Sequence, residues 1–218
     1  GLLRRQRQMC IRDRNTTGSL TFNTQVGGGV FERLRITSSG ELLVGTANKI
    51  NTSPSKFQIA SNDANGSAIL ARFNASIYSS YLDFYKSRNN TLGTATVVNS
   101  DDHLGSIRFY GADGSNSGYT TAAEIYGSCD GGSGSSGDMP GRITFHTRPD
   151  GAGQSMQERL RIASAGQIGL GGANYGTSGQ VLTSQGSGSA AQWATPSSGD
   201  YVKIQRGTNG YVASYVFD

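Results

Sequence analysis

The 218-residue sequence is poor in charge, cysteine and histidine, and it holds no long apolar run. Charged residues make up 16% of it, against roughly 25% in ordinary globular domains. No stretch approaches the ~18 consecutive apolar residues that a membrane-spanning helix needs, so no membrane span is expected. The two cysteines are Cys10 and Cys129. Two isolated thiols build neither a disulfide framework nor a metal spacing, and Cys129, in GSCDGG, reads as a lone loop residue. The two histidines, His103 and His146, have no neighbour at a spacing that holds a metal or activates a nucleophile. Alternation places His146 on the polar side of GRITFHT.

The acids are dispersed: Asp101 with Asp102, then Asp113, Glu124, Asp130, Asp138 and Glu158. Glycan hydrolysis needs two carboxylates flanking one bond, and this scatter offers no compact pair. Glu124, beside Ile125 in an alternating stretch, reads as a solvent-facing strand residue. ADGSNSG and DGGSGSSGD depart from the D-x-[DN]-x-[DN]-G calcium-loop pattern and read as turns. Trp193, between AAQ and TP, reads as a structural anchor between chains, with a sugar-stacking platform as the alternative. No catalytic, cofactor-binding or metal-ligating residue is assigned, and no cofactor is expected.

The basic excess is confined to one place. GLLRRQRQMCIRDR, residues 1–14, has no strand or helix period and lacks the apolar segment of about 7–15 residues that a signal peptide requires. QMCIRDR resembles the in-frame translation of a transposon-end sequencing adapter, so residues 1–14 are expected to be non-native. The alternative is a basic arm for nucleic acid or anionic lipid. The segment holds five of the 19 basic residues and one of the 15 acids, so without it the formal charge of +4 falls to zero. Phosphate binding needs clustered Lys and Arg. The remainder has no such cluster, and no nucleic-acid partner is expected.

Glycine, by contrast, is abundant: 32 residues, about twice the usual ~7% share. It follows no G-X-Y period, which excludes collagen. The glycines punctuate a repeated phrase. FERLRITSSG (Phe31–Gly40) returns as QERLRIASAG (Gln157–Gly166), and each copy runs into a glycine-rich tail, ELLVGT and QIGLGG. Upstream stand GSLTFNT (Gly18–Thr24) and GRITFHT (Gly141–Thr147), with a related GSIRFYG at Gly105–Gly111. Internal repetition points to arrays and fibres built from small units. Within each unit the apolar residues alternate with polar ones or glycine: Ile143 and Phe145, Leu160 and Ile162, Ile168 and Leu170. Period two is a strand with one side in a core and the other in water.

The chain then divides as follows: a first repeat with its connector at 15–60, a β-rich insert at 61–140, a second repeat at 141–172, a Gly/Ser-rich stretch at 173–199, and at 200–218 the start of a truncated C-terminal β domain. In the insert, AILARFN, SSYLDFYKS, TATVVNS, LGSIRFYG and TTAAEIYG are candidate strands. Ile69, Phe73 and Ile77 have helical spacing, so a short helix at Ser67–Ile77 is the rival reading there. Ile107 and Phe109 are expected inside the insert's own sandwich core. The expected fold class is all-β: short glycine-punctuated strand repeats flanking a β-sandwich-like insert, elongated, in a trimeric fibre segment.

YLDFYKSRNNTLGT, DDHLGSIRFYGADGSN, TTAAEIYGSCDG, DMPGRITFHTRPDGAG and ERLRIASAGQIGLGG follow one another in an order that resembles tail-fibre proteins of tailed bacteriophages. GTSGQVLTSQGSGSAAQW is similar to a further fibre motif that precedes a distal domain, and DYVKIQRGTN to the start of such a domain. The resemblance implies a structural, adhesive segment of a virion tail fibre, built as a homotrimer. It also implies other tail or baseplate proteins as partners, and a host surface glycan or protein as the target. A tailspike-type glycan depolymerase and a bacterial surface adhesin remain as alternatives. Short glycine-separated strands cannot cover their own apolar side, and small cores of this kind need added support. Three chains about an axis would bury Leu34, Ile36, Leu160, Ile162, Ile168 and Leu170, and would pair strand edges otherwise open to aggregation.

Overall fold

The computed structural model describes residues 18–50, 55–62, 68–114, 118–132 and 136–197, with the short strand pair 205–206 and 212–213. The expected non-native segment 1–14, most of the C-terminal stretch 200–218 and Ser67 lie outside these residues. The described residues form strands and no helix, in several sheets of which none closes into a barrel. No helix among them is long and apolar enough to cross a membrane. The chain separates into two compact units, Gly1–Leu82 and Asp83–Asp218.

The first unit holds a four-stranded sheet: β1 (Leu20–Val26), β2 (Gly29–Ile36), β3 (Leu42–Val44) and β4 (Phe57–Ile59), in that spatial order. The first three strands pair antiparallel, and β4 adds to β3 in parallel. In the second unit β5 (His103–Ala112), β6 (Tyr119–Cys129), β7 (Gly141–Thr147), β8 (Gln157–Ile162) and β9 (Ile168–Leu170) form one five-stranded antiparallel meander. A two-stranded hairpin follows, β10 (Val181–Thr183) with β11 (Gln192–Ala194), and then the short pair β12 (Gln205–Arg206) and β13 (Val212–Ala213).

Several sequence expectations are corrected. Residues 68–74, 79–87 and 94–100 form no strand, because none finds a ladder partner in its own chain. The rival helix does not form over 68–77 either. Asn74 accepts hydrogen bonds from the Ser76 amide at 3.0 Å and hydroxyl at 2.7 Å, a local bond that competes with helical main-chain pairing. The insert's remaining strands lengthen the sheet of the second repeat: β6 pairs with β7, and β5 pairs with β6. Ile107 and Phe109 fill no core there: they are 46% and 53% exposed.

Candidate interaction faces of the two sheets

The two copies of ERLRI fold alike, bond for bond. In the first, Phe22 faces Leu34 and Leu20 faces Ile36; in the second, Phe145 faces Leu160 and Ile143 faces Ile162. The register slips at matching places, between Phe22 and Asn23 and between Phe145 and His146, leaving Arg33 and Arg159 as the extra residues of a β-bulge. The bulge explains the spacing of the motif. Three residues apart, Glu32 and Arg35 would stand on opposite faces of a regular strand. One extra residue between them returns both to the same face. Arg35 donates from Nε and a terminal nitrogen to the two Glu32 oxygens at 2.7 and 2.6 Å, and Arg161 does the same to Glu158 at 2.7 Å each. The bulged arginines donate to Thr24 at 2.7 Å and to Thr147 at 2.9 Å.

Each motif ends in the same turn. Gly40 donates to the Thr37 carbonyl at 2.9 Å, as Gly166 does to Ala163 at 2.9 Å. Both glycines have positive φ, 75° and 84°. A three-residue hairpin loop of this kind places its last residue in the left-handed region, where glycine carries no Cβ penalty.

Strand pairing aligns the apolar residues into rows. On the first sheet one row is Leu20, Ile36, Leu42, Phe57 and the next is Phe22, Leu34, Val44, Ile59. On the second they are Ile107, Ile125, Phe145, Leu160, Leu170 and, one step along, Ile143, Ile162, Ile168 beside Gly105 and Gly127. All six seam residues expected from sequence therefore lie on these faces: Leu34 and Ile36 on the first, Leu160, Ile162, Ile168 and Leu170 on the second. The faces are open. Phe22, Ile36, Phe57, Ile143, Ile162 and Ile168 are exposed, while Leu34, Leu160 and Leu170 are half-buried. Sequence reasoning missed Phe22, Ile107, Phe109, Ile125 and Phe145 as members of the same faces. For Phe22, Ile107, Phe109 and Phe145 the signal is the shared G-x-[LI]-x-F phrase; Ile125, in TTAAEIYG, is placed only by its pairing with Ile107 and Phe145.

The polar faces are the covered ones. Glu124, Ser128 and Thr144 are buried, and so is Leu43 on the polar side of the first sheet. Glu124 is therefore not the solvent-facing residue expected from sequence: it is 5% exposed and paired with Arg108. Burial pushes its pKa up, but hydrogen bonds from Tyr126, Arg108 and Ser106 and the Arg108 charge outweigh this and hold the carboxyl below its usual range. Glu158 is lowered chiefly by its hydrogen bond from Arg161. Asp102 is lowered chiefly by Arg88, which donates to its two oxygens at 2.6 Å each. Asp130 is lowered against its own burial by bonds from the Ser164 amide and from Arg142. The Tyr126 ring stands edge-on to both histidines, 4.2 Å from His103 and 5.1 Å from His146, and His146 shares a 3.0 Å hydrogen bond with Thr144.

One further expectation changes. Cys129 closes strand β6, fully buried, with its thiol donating to the Gly131 carbonyl at 3.0 Å, so it is not a loop thiol. Trp193 anchors its own chain. Its Nε1 donates to the Asn174 carbonyl at 3.1 Å, and the same carbonyl accepts from the Leu170 amide at 3.0 Å. The indole covers Gly176, where a Cβ would meet ring carbon Cγ at 2.8 Å. Among the described residues no group of three His, Cys, Asp or Glu side chains comes together as a metal site. The chain matches no protein-family model and no curated protein.

Proposed function

We propose that the chain is a segment of a homotrimeric tail fibre of a tailed bacteriophage, a virion component that supports attachment to the host surface by adhesion and performs no chemistry. Its partners on this reading are two further copies of itself, neighbouring tail or baseplate proteins, and a glycan or protein of the host surface. The observation that carries the reading is the open apolar rows of both sheets, with Leu43 of the first and Glu124, Ser128 and Thr144 of the second buried on the opposite face. Contiguous open apolar surface marks an interaction site, and burying a Leu or Ile side chain contributes roughly 1.5–3 kcal/mol. Two sheets with one shared register suit a body that is lengthened by repeating a unit.

A specific observation favours one second reading, glycan hydrolysis. Glu124 and Glu158 flank His146 in a single row across β6, β7 and β8. Glycosidases need one carboxyl with a raised pKa to act as acid, and both of these are lowered by arginine or hydrogen-bond partners. The ion pairs of Glu124 with Arg108 and of Glu158 with Arg161 support the non-enzymatic reading.

The test joins a cleavable trimeric coiled-coil clamp to the C-terminus, removes it after folding, and measures mass by light scattering. Three chains are expected to stay together. A stable monomer with an unchanged β spectrum would end the fibre reading. Release of reducing ends from capsular or lipopolysaccharide glycan, abolished by Glu124→Gln or Glu158→Gln, would replace it with the hydrolase. Baseplate or other tail genes are expected beside the coding sequence.

A further inference from the structure

We propose that residues 171–176, together with Trp193, form a strap that closes the outer edge of β9 to strand addition. Once the strap is displaced, this edge accepts a parallel strand such as the Phe57–Ile59 segment of a second copy of the chain. β3 and β9 hold the same place in the two repeats. Val44 faces Leu34 and Leu42 faces Ile36 in the first; Leu170 faces Leu160 and Ile168 faces Ile162 in the second. Gly45 and Gly171 donate inward to the Arg33 and Arg159 carbonyls at 3.0 and 3.1 Å. Alternation along an antiparallel strand then turns the main-chain groups of Leu42 and Val44, and of Ile168 and Leu170, outward. In the first sheet a strand meets them. The Leu42 amide donates to the Lys56 carbonyl at 2.8 Å, and the Val44 carbonyl accepts from the Ala60 amide at 2.9 Å, which seats β4 in parallel. In the second sheet the Leu170 amide donates to the Asn174 carbonyl at 3.0 Å instead. Where β3 takes a strand, β9 takes the chain that follows it.

One difference between the repeats accounts for this. Leu43, the middle residue of β3, is fully buried, so its own side chain occupies that side of the strand. The matching residue of β9 is Gly169: Arg35 pairs with the one and Arg161 with the other. A Cβ at Gly169 would meet the Gly172 carbonyl, Arg161 Cγ at 3.0 Å and Tyr175 Cε1 at 3.1 Å. Glycine there lets the linker and the Tyr175 ring lie down on the sheet. Trp193 fastens the strap from the hairpin side, because its Nε1 donates to the same Asn174 carbonyl at 3.1 Å and its ring covers Gly176. The Asn174 side chain also accepts from the Gly176 amide at 3.3 Å. An open row of main-chain donors and acceptors is a template for another strand, and strand addition is the recognition that it supports. The first sheet shows which strand fits. It runs parallel, and Phe57 and Ile59 extend the rows of Leu42 and Val44. On β9 the same two side chains would extend the rows of Ile168 and Leu170.

The experiment uses the full chain and two variants: Gly169→Leu, which gives β9 the residue of β3, and Trp193→Ala, which frees the strap from the hairpin. The probe is a fluorescein-labelled peptide of residues 55–60, followed by anisotropy. The same peptide with Gln58→Pro is the control, because proline removes the central ladder donor. Exchange of the Leu170 amide is read by nuclear magnetic resonance. Expected are a protected Leu170 amide and no saturable binding in the parent. Both variants should lose that protection, bind the peptide at least about tenfold more tightly than the parent, and regain the protection when it is bound. The β spectrum reports folding, and if Gly169→Leu fails to fold, Trp193→Ala decides. A parent that binds as tightly as the variants overturns the strap as a guard. A folded variant whose Leu170 amide exchanges fast but which does not bind overturns the edge as an acceptor. A Leu170 amide that stays protected in the folded variants overturns Gly169 and Trp193 as the residues that hold the strap. Equal binding of the proline peptide also overturns the proposal, because the peptide then sits on an apolar face. None of these outcomes bears on association through the faces, so the fibre reading is tested separately.

Discussion

Glu158 and Arg161 show why single residues matter in a sheet with so little buried apolar volume. Both side chains are largely covered, at 16% and 17% exposure, and they are bonded through two oxygens. Glu158→Ala removes the carboxylate that accepts both of these bonds, and a lost hydrogen bond to a charged group costs about 1.5–3 kcal/mol. The expected outcome is a lower urea midpoint with an unchanged slope. The pH dependence follows from the direction of the shift. The folded carboxyl titrates below its unfolded value of roughly 4.3, so its contribution is complete above that value and is lost as pH falls through the folded pKa. Urea midpoints measured from pH 6 down to pH 3 should therefore fall less steeply for Glu158→Gln than for the parent. Arg108→Met tests the other carboxylate. Burial alone raises the Glu124 pKa, so removing Arg108 should move the titration upward, as read from its side-chain carbon resonance. A Glu124 resonance that titrates at the same pH in both proteins would contradict the pairing.

At the scale of the element, the alternation of Leu160 with Ile162 and of Ile143 with Phe145 was enough to place strands β7 and β8, and glycine placed their ends. The bulge was not legible. ERLRI reads as plain alternation, and only pairing with the strand before it reveals that Arg159 is an extra residue and that Glu158 meets Arg161. The 68–87 stretch misled for the opposite reason. Its apolar pattern is that of a strand, or over part of its length a helix, but a strand needs a partner and the isolated chain provides none. The turn offers a direct test. Gly166 has a φ of 84°, and an L-residue in the left-handed region costs roughly 1–2 kcal/mol. Gly166→Ala should lower the melting temperature, Gly166→Asn should lower it less, and Ala165→Gly should change it least. Equal effects at the three would mean that the turn does not depend on that backbone conformation.

For the whole molecule, the open faces change an expectation about association. Ile107 and Phe109 were expected in a private core, so that replacing them would disturb folding and spare assembly. They share a face with Leu160 and Ile162. Leu160→Ser/Ile162→Ser and Ile107→Ser/Phe109→Ser should therefore both weaken association, each measured as dissociation on dilution by light scattering, with the β spectrum retained. If the second pair unfolds the monomer and leaves association intact, the face is not shared. Trp193→Ala should act differently. It should loosen the β10–β11 hairpin, seen as faster amide exchange there, because the indole is bound to Asn174 and Gly176 of its own chain.

Sequence alone determined the β character, the strand ends and the repeated unit, because period-two alternation and glycine are local properties of the chain. It also determined which side chains share a side of one strand, including the six residues proposed for a trimer seam. The tertiary structure decided which side is covered. Register between strands placed the carboxylates beside arginines on a covered polar face and left the apolar rows open. It did so because hydrogen bonds between distant segments set that choice, and no short stretch of sequence carries it.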